Sequence, residues 1–316
     1  MRRRRTLAVV LAGLAAFAAT GVAACTTTGS AAAPGKVDVV AAFYPLQFVS
    51  EQVGGGHVAV TNLAKPGAEP HDLELSARQV GRVSDAEVIV YLEGFQPAMD
   101  DAVEQVGGDR AFDVSTAVPL LAAGESDHVH AGEEAEEEHH ADGAGTDPHV
   151  WLDPVRLATI GQQVADRLAT ADPEHAADYA ANASRLRTQL STLDREYAAG
   201  LATCQRRELV TSHAAFGYLT DRYHLEQVGL TGVTPDTEPA PQRLASVAAE
   251  AREHGATTIF FETLVSPKVA DTIAHEVGAR TAVLDPIEGL QPGVTGDYFS
   301  IMRANLTTIR TALDCP

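Results

Sequence analysis

The sequence predicts an α/β fold: two lobes, each a mostly parallel sheet flanked by helices, joined by one long rigid helix. Three observations predict it. Short apolar, β-branched runs alternate with helical patterns along most of the chain, which is the signature of parallel strands covered by helices. After Asp172-Pro173 a helical pattern runs unbroken for about 28 residues, longer than the usual globular helix. The strand–helix alternation then begins again and continues to the C-terminus.

In order, Val37 to Phe43 reads as a buried strand, Leu46 to Val53 as a short helix closed by Gly54-Gly55-Gly56, and Val58 to Ala64 as a second strand. The loop Pro66 to His71 follows, then a helix from Ser76 to Val83 capped by Ser76, whose hydroxyl can accept an orphan backbone N–H. Ala86 to Leu92 is a strand, Pro97 to Val106 a helix and Ala111 to Val114 a short strand. Val150-Trp151-Leu152 is strand-like. Asp153-Pro154 starts a helix reaching about Ala169, with the carboxylate as N-cap and proline at the first position. The long helix carries Ala177, Tyr179, Ala180, Leu186, Leu190, Leu193, Tyr197 and Leu201 on one stripe and reads as a strut between lobes. In the second block Glu208 to Thr211, Leu225 to Leu230, Thr257 to Glu262 and Arg280 to Leu284 are strands. Phe216 to Tyr223, Gln242 to His254, a helix begun by Ser266-Pro267 and stopped at Gly278, and Asp297 to Leu313 are helices.

The start of the chain has a different purpose. Met1 to Arg5 is basic, Leu7 to about Phe17 is apolar, and small residues precede Cys25. These are the parts of a secretory signal, and the apolar run is shorter than an ordinary spanning helix; an anchor that is never removed is the alternative. Small residues before a cysteine resemble the lipobox of bacterial lipoproteins, which makes Cys25 the expected lipidation site and membrane attachment. The division is a signal peptide at residues 1–24, a tether at 25–35, a first lobe at 36–171, the linking helix at 172–202 and a second lobe at 203–316. The mature 292 residues carry 19 basic against 43 acidic side chains, a net charge of −24. Nucleic acid is excluded as a natural partner of such a surface, a cation suits it, and a monomer is expected. Cys204 and Cys315 remain as a pair in an exported chain, where disulfides persist. One precedes a strand and the other follows the last helix. In an α/β sheet those ends lie together, so a disulfide is expected, against two free thiols.

Residues 124–146 break the pattern. They hold His128, His130, His139 and His140 among eight acidic side chains. Such a segment buries too little to fold and reads as a disordered insert. Its histidines can collect metal loosely; a solvated acidic insert with incidental histidines is the other reading.

Ligands of open α/β sheets bind beyond the carboxyl ends of strands. His71, His213 and Asp285 stand there, and His149 lies just before a helix. Two come from each block, so they can meet only between lobes. Three imidazoles and one carboxylate make a closed four-coordinate set that suits zinc. Singly each is weak: a histidine at a strand end is commonly a hydrogen-bonded loop residue, and Asp285 before Pro286 commonly serves a turn. His57, His175, His224, His254 and His275 read as surface or structural. Glu262 reads as support for the site, or equally as core or surface.

The segments KPGAEPHDLE (65–74), DPHVWLDP (147–154), TSHAAFGYL (211–219), FFETLVSPKVADTIAHEVGA (260–279) and AVLDPIEGL (282–290) resemble the metal-binding lipoproteins of bacterial ABC importers, the zinc and manganese solute-binding family known as cluster A-I. The likeness covers about residues 36–313. It implies two α/β lobes with one long helix between them, His71, His149, His213 and Asp285 as metal ligands, Zn²⁺ as the ion, an ABC permease as partner, and no catalysis. Manganese members resemble this pattern but carry a carboxylate at the position of His213. A manganese or iron importer component of the same fold and a zinc-dependent hydrolase are the alternative readings. The second lacks an HExxH helix or a GxSxG elbow.

Overall fold

A computed structural model describes residues 35–123, 145–235 and 239–316. Cys25 and the insert histidines His128, His130, His139 and His140 lie outside the described residues. Two four-stranded sheets, all parallel, organise the chain. The first contains β1 (Val37–Ala41), β2 (Val58–Asn62), β3 (Val88–Tyr91) and β4 (Ala111–Asp113) in the order β2-β1-β3-β4. The second contains β5 (Glu208–Thr211), β6 (Glu226–Gly229), β7 (Thr258–Phe261) and β8 (Arg280–Val283) in the equivalent order β6-β5-β7-β8. In both, the chain reverses its winding direction at the central pair, which opens a crevice at the carboxyl ends of the strands.

Around the first sheet pack α1 (Tyr44–Gly54), α2 (Ala77–Asp85), α3 (Pro97–Ala102) and α4 (Pro154–Ala171). Ser76 caps α2 through a reciprocal box with Gln79, and Asp153 caps α4 by accepting from Val155 and Arg156 N–H. Two elements differ from the sequence reading. Val150–Leu152 is a 3₁₀ turn, because Asp147 Oδ1 accepts the His149 N–H and the chain bends back at once, with Leu152 N donating to His149 O. The helix begun at Pro97 passes into a wide π turn at Val103–Gly107 instead of running straight on. The second lobe carries α6 (Gly217–Tyr223), α7 (Pro241–Glu253), α8 (Lys268–Val277) and α9 (Tyr298–Ala312). Among the described residues no helix is long and apolar enough to cross a membrane.

The long helix α5 (Ala176–Leu201) has 26 residues, ~39 Å at 1.5 Å per residue. A 3₁₀ turn at Pro173–His175 leads into it. Its buried stripe is Tyr179, Ala183, Leu186, Leu190, Leu193, Tyr197 and Leu201, a three-four spacing that keeps one face inward. Its start is tied to α1, where Asn182 Nδ2 donates to Val53 O (2.8 Å); its end is tied to α9, where Tyr197 OH donates to Met302 O (2.6 Å). One continuous apolar cluster includes β1, β3, α4, α5, α6 and α9, and a smaller one lies under α7 and α8. The lobes therefore share a core. Trp151 pins it, donating Nε1–H to Pro286 O (2.7 Å) while its own carbonyl accepts from Tyr298 OH (2.6 Å).

Cys204 and Cys315 form a disulfide closing a separation of 111 residues. It joins the segment before β5 to the segment after α9, as the alternating direction of strands and helices requires. A loop of that length restricts the unfolded chain strongly, so Cys204→Ser with Cys315→Ser is expected to lower unfolding free energy by about 2–5 kcal/mol. The bridge lies at the amino ends of the strands, away from the crevice. Denaturant titration should show the loss while metal affinity stays unchanged; equal stability of the two proteins would disprove the role.

Candidate metal centre

His71, His149 and His213 meet in the crevice, and the fourth member of the cluster is Glu288. His71 arrives on the loop after β2. Gln96 Nε2 holds that loop by donating to Pro70 O (3.0 Å), and the ring lies edge-on to Phe95, centroids 4.4 Å apart. His149 follows Asp147, whose Oδ1 accepts both the His149 backbone N–H (2.9 Å) and the ring Nδ1 (2.8 Å). Gly217, at the first position of α6, lies against Asp147; any side chain there would strike the carboxylate. His213 follows β5, and its Nδ1 lies 2.7 Å from Glu262 Oε1 at the end of β7, which also accepts from Ser212 Oγ. Asp147 and Glu262 thus bind the inner ring nitrogens, fix the tautomers and aim both Nε2 atoms at the crevice. Glu262 is buried support, one of the readings its position allowed; Asp147 had no role assigned from sequence.

Glu288 is fully buried and its Oε1 stands 3.0 Å from His149 Nε2, 3.2 Å from His213 Nε2 and 3.5 Å from His71 Nε2. The His149 and His213 Nε2 atoms are 3.4 Å apart. Four ligands at ~2.0–2.1 Å from a tetrahedral zinc stand ~3.3–3.4 Å from one another, so the donor set fits without rearranging the backbone. Two buried atoms, His71 Nε2 and Glu288 Oε2, have no hydrogen-bond partner. Such orphans are expensive in a protein interior, and a metal satisfies them.

Asp285 does not join this cluster. Its Oδ1 accepts the Ile287 N–H (2.8 Å) and its Oδ2 accepts the Thr263 hydroxyl (3.1 Å). It acts as an aspartate turn before Pro286. Ile287 adopts φ +61°, a left-handed conformation that turns the chain so that the next residue, Glu288, enters the crevice. The sequence carried this carboxylate three residues beyond Asp285, in the same AVLDPIEGL segment. The loops from the two lobes touch there, with Gly67 N donating to Leu290 O (2.8 Å).

The electrostatics follow from this geometry. Burial disfavours charge on His213, but Glu262 and Glu288 outweigh it and push its pKa up to about 10. For His149 burial again opposes charge, and Asp147 and Glu288 again prevail, so its pKa is raised. Burial works to raise Glu288, yet hydrogen bonds from His149 and His213 hold it well below the usual carboxylate range. Glu69, whose Oε1 accepts the His71 N–H, is pushed up to about 9 by burial and by Glu288. The centre therefore holds an ionised Glu288 against a protonated His213 at pH 7, with His149 shifted in the same direction and a neutral Glu69 beside them. Glu69 gave no signal in the sequence beyond its place in the PGAEPH loop.

Residues 39–312 match the family described as "ZnuA: Zinc-uptake complex component A periplasmic". The chain is 37% identical over 294 residues to the zinc-binding protein AdcA of Streptococcus pyogenes serotype M3, covering 89% of this chain and 57% of that protein. It thus spans little more than half the length of that relative. It is 34% identical over 304 residues to the high-affinity zinc uptake system protein ZnuA of Bacillus subtilis strain 168, covering 92% of this chain and 93% of that one. The Zn(II)-bound ZnuA-like domain of Streptococcus pneumoniae AdcA superposes with a TM-score of 0.73 at 31% identity, over 89% of this chain and all of that one. With its paired parallel sheets, its long helix and this match over nearly its whole described length, the chain belongs to the ZnuA family of periplasmic zinc-uptake components.

Proposed function

We propose that this protein captures Zn²⁺ between its lobes with His71, His149, His213 and Glu288 and delivers it to an ABC permease at the outer face of the cytoplasmic membrane, tethered there by lipid on Cys25. One observation carries the reading: three imidazole Nε2 atoms converge on a single buried carboxylate oxygen, with the spacing of a tetrahedral ligand set. Three nitrogens to one oxygen favour zinc over manganese, which prefers oxygen. Four protein donors fill the tetrahedron and leave no place for a reacting water, so the site holds an ion and performs no hydrolysis. The Nδ1–H groups donate to Asp147 and Glu262, leaving the Nε2 lone pairs for the metal. The shared core and α5 resist hinge opening, so release runs through the loops that carry His71 and Glu288.

Metal competition on the mature chain tests this. Offered equal Zn²⁺ and Mn²⁺, the protein should retain one tight zinc, counted by mass spectrometry. Trp151, whose ring lies 5.3 Å from that of His149, should report binding by fluorescence. Deleting residues 124–146 should remove only weaker binding. Tight manganese in place of zinc would overturn the choice of metal, and the absence of any tight ion would overturn the function.

A further inference from the structure

At the opposite end of β5 from the buried centre lies a second group of metal-capable side chains, Glu208, Glu226 and His254, with one donor atom from each within 4.8 Å of the others. Glu208 opens β5 and Glu226 opens β6; the two are register partners on adjacent parallel strands, so their side chains share a face. Like charges in that relation repel. His254 follows α7, and its Nδ1 lies 3.2 Å from Glu208 Oε2.

The surroundings do not neutralise the pair. Among the described residues no lysine or arginine forms an ion pair with Glu208 or Glu226. The neighbouring arginines are engaged elsewhere: Arg206 with Asp314 and Gly255 O, Arg207 with Leu201 O, Arg252 with Glu276. Glu208 is the telling residue. Its side chain is only 7% exposed, yet its Oε1 is buried without any partner. Glu250 Oε2, on the last turn of α7, is a second buried oxygen without one. Burial and the carboxylates of Glu250, Glu226 and Glu253, against the opposing His254, push the Glu208 pKa up to about 7. Glu208 Oε1 is thus a buried, unpartnered acceptor beside the donor atoms of Glu226 and His254.

We propose that Glu208, Glu226 and His254 form a second cation site, open to solvent on the second lobe, that takes a first-row divalent ion such as Zn²⁺. Two carboxylates and one imidazole are a mixed oxygen–nitrogen donor set for such ions, with water completing the shell. Glu208 and His213 are five residues apart along one strand direction, ~16 Å at 3.3 Å per residue, so the two ions do not share ligands. The site binds more weakly than the buried centre, because it has fewer donors and two of them are exposed.

The test titrates Zn²⁺ into the full mature chain after the first equivalent has filled the tight centre. The comparison is the double variant Glu226→Gln with His254→Gln, both at exposed positions, so that folding is preserved. The wild type should bind one more zinc than the variant. In the wild type the His254 ring nitrogens should shift in ¹H–¹⁵N spectra only beyond the first equivalent, and Glu208→Gln should abolish that shift. The first equivalent reads the buried centre, so failure there is distinguishable from failure here. Equal stoichiometry in the two proteins, or a His254 signal that does not move, overturns the proposal.

Discussion

Replacing Glu288 by glutamine is expected to weaken zinc binding by more than about 100-fold, because even partners one step removed from a metal are worth 10–100-fold and this oxygen faces all three imidazoles. Asp285→Asn is the decisive companion. Asparagine keeps the acceptor that holds the Ile287 N–H, so the turn survives and affinity should change by less than about threefold, under 0.7 kcal/mol. Asp147→Asn and Glu262→Gln should fall between, each by about 10–100-fold, since they orient rings instead of contacting the ion. Competition with a chromogenic chelator measures all four. A large loss in Asp285→Asn with a small one in Glu288→Gln would return the fourth ligand to Asp285.

Zinc affinity should fall steeply as pH drops, and the sign follows from the charge state of the metal-free centre. His213 titrates at about 10 and is protonated at pH 7, and the His149 pKa is raised by Asp147 and Glu288, while zinc needs both Nε2 lone pairs. Binding then releases at least one proton per ion, which makes the affinity fall at least about tenfold for each unit that pH is lowered around neutrality. The stability of the metal-free protein has the opposite dependence. Imidazoles whose pKa is raised on folding add stability that is fully present below their unfolded value of about 6.5 and is lost as pH rises toward their folded values. Alkaline pH should therefore loosen the metal-free protein while tightening zinc. Calorimetry in buffers of different ionisation enthalpy counts the protons directly. No release at pH 7 would mean the imidazoles are neutral before the metal arrives.

The folding pattern was legible because it is local. Val37–Ala41, Val88–Tyr91 and the other strands are short β-branched runs, and Ser76, Asp153 and Asp297 announce helix starts through oxygens that accept backbone N–H groups nearby. Three of the four clustered donors were legible for a related reason: each histidine stands just beyond a strand or just before a helix. Val150–Leu152 was misread, since three buried apolar residues look alike as a strand or as a 3₁₀ turn.

Composition, periodicity and spacing thus determined the class of fold, the long helix and the pairing of Cys204 with Cys315, and the resemblance carried by the histidine segments pointed to the imidazole chemistry of the centre. Only the tertiary structure places Glu288, and not Asp285, among the three imidazoles. Both carboxylates lie in one short loop, and the choice depends on a left-handed residue at Ile287 and on Thr263, a neighbour from β7's loop that occupies Asp285. The same is true of Asp147, Glu262 and Glu69, and of Glu208 beside Glu226. Whether a carboxylate orients a ring, stays neutral or waits for a cation is set by burial and by partners brought from far along the chain, and no local pattern encodes that distance.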